Sequence, residues 1–150
     1  MPEKKTIERA RKDASEGKAP STQAGEFVRE EIYHIRQGKH GARSAKQAIA
    51  IGLSKARRAG VKLPPPKGMA SEKTRAQARR DIARGQKSPG RRPSPTRSHA
   101  TETALKHEDR KAASHTALSR QAHASAKRRG AASRSRAAQK AARTRAHASR

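Results

Sequence analysis

The C-terminal forty residues, 111–150, constrain the fold of this chain more than any other feature. They contain eleven Lys or Arg and fourteen Ala but neither Asp nor Glu, and Leu118 is their only large aliphatic residue. Such a segment buries too little apolar surface to offset the entropy of folding, so alone it is expected to be disordered or marginally helical. It can neutralise polyanions, because each cation that meets a phosphate releases condensed counterions.

Charge and apolar residues are distributed unevenly along the chain. Residues 1–66 hold 15 basic and 7 acidic side chains, and residues 67–150 hold 23 and 5. Eleven of the sixteen Met, Ile, Leu, Val, Phe and Tyr residues lie between Ile7 and Leu63. We therefore predict a small helical head at 1–66, a basic helix with a Pro-rich linker at 67–97, and a basic Ala/Arg-rich tail at 98–150.

Helical spacing in the head predicts an all-α fold with two or three short N-terminal helices. Residues 4–16 form a thin first helix, and a second begins at Ser21 or Thr22 and ends at Gly38. Its apolar stripe consists of Ala24, Phe27, Val28, Ile32 and Ile35. Glu26, Glu30 and Glu31 are assigned to its solvent side.

A third helix is predicted from Ser44, where Gln47 completes a capping box, to a stop at Gly60. Three small residues, Ala48, Gly52 and Ala56, let the second helix approach its apolar face closely. The whole face consists of Ala45, Ala48, Ile49, Gly52, Leu53 and Ala56. So small a core is marginally stable alone, so a homodimer through the 24–56 helices is a reasonable hypothesis. Residues 71–85 are expected to form an exposed basic helix.

The loop before the third helix is the first candidate nucleic-acid site. Glycines let the backbone approach an anion, and Lys39, His40 and Arg43 surround the N–H groups of the helix N-terminus. These features fit a phosphate cradle, although the loop has no Walker motif. An ordinary interhelical turn with solvated cations is the alternative.

Other candidate contacts are cations in three clusters. Those ending the third helix either complement its dipole or contact a nucleic-acid backbone: Lys55, Arg57, Arg58 and Lys62. Those of the linker follow Ser-Pro turns that suit a narrow minor groove, unless the linker is simply disordered: Arg91, Arg92 and Arg97. Those of the tail are Lys127, Arg128, Arg129, Arg134, Arg136, Lys140, Arg143 and Arg145.

The sequence lacks the residues that several classes of function require. The chain has no Cys, which excludes disulfides and thiolate sites. The histidines have no H-E-x-x-H pattern and no carboxylate partner at ligand spacing, and no paired carboxylates lie in an apolar setting. We therefore predict no catalytic residues, no metal site, no cofactor and no small-molecule substrate. With no secretory h-region and no apolar run near the roughly 18 residues of a membrane span, we expect no membrane partner and a cytoplasmic, nucleoid location.

Two stretches, Ser21–Ile32 and Gly38–Pro66, resemble a family of small, basic bacterial proteins. The resemblance covers roughly residues 3–85, and the run Lys46–Pro66 is its most distinctive part. That family has a domain of unknown function, is often labelled DNA-binding, and carries Lys/Arg/Ala-rich tails similar in composition to linker-histone tails. The tail here departs from that pattern because Arg outnumbers Lys.

Together these features predict a non-enzymatic, largely sequence-nonspecific DNA-binding protein that compacts or bridges the nucleoid. A ribosome-associated or other RNA-binding auxiliary protein is the first alternative, since composition does not separate RNA from DNA. The second alternative is an adaptor whose head binds a protein and whose tail is a basic tether.

Overall fold

A computed structural model describes residues 1–68, 70–89 and 91–148, which form seven α-helices and no strand. The predicted all-α class is therefore confirmed. The helices are α1 (Lys4–Ser15), α2 (Pro20–Arg36), α3 (Ala45–Arg58), α4 (Glu72–Lys87), α5 (Pro95–Lys106), α6 (His115–Arg128) and α7 (Gly130–Ala148), and a 3₁₀ turn (Arg110–Ala113) precedes α6. No helix within these ranges combines the length and the apolarity needed to cross a bilayer.

The chain divides into two compact units, Met1–Ser114 and His115–Arg150. Of the boundaries predicted for the linker region, residue 66 lies in the extended stretch before α4, and residue 97 lies inside α5. The first unit thus continues well past the predicted head.

The contact between α2 and α3 organises the first unit. Gly52 of α3 lies so close to α2 that a Cβ atom there would be 2.7 Å from the Cα atom of Val28. Facing it, the predicted stripe of α2 is buried at Phe27 and Ile35, and the small-residue face of α3 is buried at Ala48 and Ala56. The close approach expected from the small residues is therefore present.

The first helix and the loop after α3 close this core. Ala10 of α1 joins Phe27 and Ala56 in one buried cluster, and Val61 and Leu63 pack against it from the loop. Glu26, predicted to face solvent, instead pairs with Arg9 of α1 at 2.7 Å and is mostly covered.

The sequence predicts the beginning of α3 more accurately than the beginning of α2. Pro20 occupies the first turn of α2, so the helix begins one residue before the predicted Ser21 cap and without a side-chain cap. At α3, Ser44 Oγ accepts the Gln47 N–H at 3.2 Å as predicted, while Gln47 Oε1 accepts the N–H of Arg43 at 2.7 Å.

The fourth helix was predicted to be exposed, but one of its sides packs on α3. A Cβ atom on Gly85 would lie 2.0 Å from the carbonyl oxygen of Arg57, so only glycine permits this contact. Ala78 and Asp81 are also buried, and Ser54 donates to the Asp81 carboxylate at 2.5 Å. Small and polar residues replace the apolar stripe that would have signalled this inner face.

A segment predicted as tail, Leu105–Ala113, packs against the head. The N–H groups of Gly41 and Ala42 donate to the carbonyls of Leu105 and Asp109 at 2.8 and 3.1 Å. Arg36 Nε donates to the carbonyl of Ala113 at 2.9 Å, and Ala113 is fully buried. Hydrogen bonds to the backbone carbonyls of this segment, rather than large apolar side chains, attach it.

The second unit consists of α6 and α7, hereafter the basic arm. None of the α6 residues is buried, and Gly130 begins α7 with a positive φ of 73°. Arg134 donates to the carbonyl of Ala126 at 3.1 Å, which links the two helices. The predicted disorder of the unbound arm stays a prediction.

We expect Gly52→Ala to destabilise the protein and Gly25→Ala to stabilise it. Both glycines lie in helices, where Ala is favoured by about 0.5–1 kcal/mol. A Cβ atom on Gly25 meets nothing within 4 Å, whereas one on Gly52 overlaps the Val28 backbone and forces the helices apart. Overpacking of this kind costs about 1–3 kcal/mol. Urea unfolding of the full chain, followed by circular dichroism, measures both changes; equal effects would contradict the close α2–α3 contact.

Candidate nucleic-acid interface and a buried charge cluster

The loop predicted as a phosphate cradle is covered by the chain itself. Its Gly41 and Ala42 N–H groups are bonded to the 105–109 backbone, and a Cβ atom on Gly41 would lie 1.8 Å from the Glu108 carbonyl oxygen. Lys39 points to Glu3 at 3.5 Å, while Arg43 is exposed. The N–H groups of Gly41 and Ala42 are thus already used, and those of Arg43 and Gln47 donate to Gln47 Oε1 and Ser44 Oγ. Fewer N–H groups are left for a phosphate than that prediction assumed.

Two cations predicted as nucleic-acid contacts at the end of α3 point inward. Lys55 is only 16% exposed and pairs with Glu31 at 2.5 Å. Arg57 is buried and donates to the carbonyls of Leu63 and Pro64 at 3.4 and 3.3 Å. Burial lowers the pKa of the Arg57 guanidinium, and the charge of Asp81 opposes that shift. These two side chains stabilise the head and are not presented to a ligand.

The other α3 cations and those of the linker remain accessible. Lys62 is exposed, and Arg58 is partly exposed, with its Nε atom 4.0 Å from Asp81. Beyond α4, exposed arginines line an open groove within the first unit together with residues from the end of that helix: Arg84, Lys87, Arg91, Arg92 and Arg97. The structure therefore brings together the three linker arginines predicted as contacts and adds two cations that the sequence did not single out.

Every predicted contact in the basic arm is exposed: Lys127, Arg128, Arg129, Arg134, Arg136, Lys140, Arg143 and Arg145. At about 100° per residue, Arg136, Lys140 and Arg143 share one side of α7. Arg134 and Arg145 lie on the opposite side. The helix therefore presents cations in two directions.

A buried cluster of charges, absent from the sequence predictions, lies between α2 and α3. Glu31 is fully buried and Glu30 nearly so, although both were assigned to solvent. Lys55 reaches across from α3, with its Nζ atom 2.5 Å from Glu31 Oε2 and 4.0 Å from Glu30 Oε1. The N–H of Glu3 donates to Glu30 Oε2 at 3.0 Å. Two carboxylates thus share one ammonium group in the interior.

Two histidines extend this cluster. His34 Nε2 lies 2.8 Å from Glu3 Oε1, and His40 Nε2 lies 3.4 Å from Glu31 Oε1. The hydrogen bond from His34, followed by that from Lys39, lowers the pKa of the Glu3 carboxyl. The prediction that the histidines have no carboxylate partner at ligand spacing is therefore wrong. Glu31 and His34 are one helical turn apart, and the loop brings His40 back to them.

One sequence signal could have located Glu31 in the core. It lies four residues after Phe27 and four before Ile35, so it occupies the same helical stripe as these two buried side chains. Its charge led to its assignment to solvent. The position of His40 has no comparable signal, since it depends on the fold of the loop.

One comparison with known proteins gives a match, and it lies within the first unit. Residues 4–67 match the model of a family of unknown function, DUF6496. The DUF6496 region contains α1 to α3 and the whole buried cluster from Glu30 to Lys55, but not the basic arm. Neither a curated protein nor a solved structure matches the chain.

We expect Lys55→Met to destabilise the protein far more than Lys18→Met. Removal of one partner from a buried ion pair leaves an uncompensated charge and costs about 3–5 kcal/mol. Lys18 makes two exposed pairs, with Asp13 and Glu16, and such pairs contribute about 0–1 kcal/mol. Urea unfolding of both variants provides the measurement.

A second substitution tests the cause of the Lys55 effect. Glu31→Gln in the Lys55→Met background removes one of the buried charges and should recover part of the lost stability. Equal unfolding free energies for the Lys55 and Lys18 variants would show that the buried pair contributes no more to stability than the exposed pairs.

Proposed function

We propose that this protein is a non-enzymatic, largely sequence-nonspecific DNA-binding protein that compacts or bridges duplexes in the nucleoid. The observation that carries the proposal is the segregation of exposed positive charge into a part of the chain without carboxylates. Every Asp and Glu lies at or before Asp109, whereas the basic arm that follows is lined with exposed Lys and Arg.

The contrast with the first unit explains why the arm is the principal contact. In the head, cations such as Arg9, Lys18 and Lys39 lie within 4 Å of carboxylates, and Lys55 is largely buried. Their positive charge is partly neutralised inside the protein. The arm itself contains no Asp or Glu, and the phosphate groups of a nucleic acid can supply anions to its exposed cations.

Arrangement and residue type favour bridging. Cations on opposite sides of α7 can contact two phosphate backbones at once, or wrap one backbone around the helix. Arginine, which outnumbers lysine in the arm, forms bidentate contacts with phosphate and enters narrow minor grooves. The groove lined by Arg91, Arg92 and Arg97 provides a further basic surface in the first unit.

The aromatic residues argue for duplex rather than single-stranded nucleic acid. Phe27 is buried in the core, which leaves Tyr33, 56% exposed, as the other ring among the Phe, Tyr and Trp residues of the chain. Single-strand binding by base stacking requires several exposed rings. Neutralisation of a double-stranded backbone requires none.

We expect duplex affinity to fall steeply with salt and to depend on the arm. With about 6–10 phosphates engaged, affinity should fall roughly 10³–10⁵-fold between 50 and 200 mM salt. Replacement of five exposed cations by Gln should lower the salt slope by about 4–5, since each contact contributes about 0.9. The variant carries Arg128→Gln, Arg129→Gln, Arg136→Gln, Lys140→Gln and Arg143→Gln.

A charge-matched control separates arm contacts from net charge. It replaces five exposed cations of the first unit by Gln: Lys4, Lys5, Arg11, Lys46 and Lys73. Fluorescence anisotropy with a labelled duplex measures both slopes, and the control should retain most of its slope. An affinity change below about tenfold across the salt range, or equal loss in both variants, would rule out this mechanism.

Crosslinking in cells, with bound DNA and bound RNA sequenced from one pulldown, should give broad chromosomal coverage and little RNA. The expectation follows from backbone contacts that read no base sequence. Enrichment of ribosomal or other structured RNA would favour the RNA-binding alternative. After nuclease treatment, capture of one protein by the arm-neutralised variant would favour the adaptor instead.

A further inference from the structure

We propose that the first unit holds a divalent transition-metal ion of the Zn²⁺ class on Glu31, His34 and His40. One ligand atom from each of these residues lies within 4.8 Å of the other two. Two imidazoles and one carboxylate are a common donor set for Zn²⁺ and for related first-row ions. This site is independent of the nucleic-acid proposal, because none of its residues is among the exposed cations of the arm.

The hydrogen bonds of His40 leave the correct nitrogen for a metal. His40 Nδ1 lies 3.0 Å from the carbonyl oxygen of Gly41, and a carbonyl only accepts, so Nδ1 carries the hydrogen. In the neutral ring, Nε2 then has a lone pair that faces Glu31 Oε1 at 3.4 Å. Two lone pairs in this position repel each other unless a positive charge lies between them.

The second imidazole, His34, also has one ring nitrogen bonded to an acceptor. His34 Nε2 lies 2.8 Å from Glu3 Oε1, and the ionised carboxylate accepts, so Nε2 carries the hydrogen. The neutral ring then has its lone pair on Nδ1. Metal-binding histidines typically donate their other N–H to a carboxylate or a backbone carbonyl, which orients the ring. His34 and His40 have one partner of each kind.

The third ligand, Glu31, has an oxygen with no hydrogen-bond partner. Its side chain is fully buried, and Oε2 is paired with Lys55. Oε1, which points to His40, has no hydrogen-bond partner among the residues that the structure describes. An unpaired buried carboxylate oxygen is costly, and coordination to a cation satisfies it.

The charge of the cluster favours a metal ion over further hydrogen bonds. Glu30 and Glu31 together carry two negative charges in the interior, against the single ammonium of Lys55. A divalent ion supplies the missing positive charge. The bound ion would also join α2 to the loop that contains His40. A groove lined by Gly38, His40 and Lys106 opens this loop to solvent.

The test is equilibrium dialysis of the full chain against Zn²⁺, after removal of nucleic acid, with bound zinc measured by mass spectrometry. We expect one tight site per chain. His34→Gln and His40→Gln should each weaken it by more than about tenfold, since loss of even an outer partner costs about 10–100-fold. His123→Gln, an exposed histidine of the arm, is the matched control and should leave the tight site unchanged.

A second measurement covers variants that fail to fold. The melting temperature of the wild type should rise with Zn²⁺, because an ion that binds only the folded state stabilises it. Equal zinc binding by the His40 and His123 variants would overturn the proposal. Absence of a tight zinc site in the wild type would also overturn it.

Discussion

The head depends on one close contact, where Gly52 of α3 meets the backbone of Val28 in α2. Three residues after each of these positions lie Lys55 and Glu31, on the same faces of their helices. Because the helix backbones touch, a lysine from one helix can reach a glutamate in the other at 2.5 Å while both are shielded from solvent. The small-residue contact thus permits the buried ion pair. A larger residue at position 52 would separate the two helices and, with them, Lys55 and Glu31.

The different use of charge in the two units follows from the small number of large apolar residues in the chain. A head with few large side chains uses ion pairs and backbone hydrogen bonds to complete its interior. The cations that it employs for this purpose, such as Lys55 and Arg57, are lost to any external ligand. The arm has too few apolar residues for a core, and for that reason its cations stay at the surface.

The sequence predicted most of what depends on local patterns. The all-α class, the beginning of α3 at Ser44 and the buried stripe of α2 all followed from caps and spacing. The burial of Glu31 and the docking of the 105–113 segment were missed. Lys55, 24 positions later, stabilises Glu31 in the interior. The docked segment is held through backbone carbonyls, which have no side-chain signature. Contacts of this kind are determined by tertiary structure.

Arg36 donates a hydrogen bond to the carbonyl of Ala113, which is two residues before the start of the arm at His115. Any force on the arm therefore reaches α2 through this bond and the buried Ala112 and Ala113 before it can reach α5. The Leu105–Ala113 segment acts as a mechanical anchor. It would protect α5 and the head from a load applied to the arm.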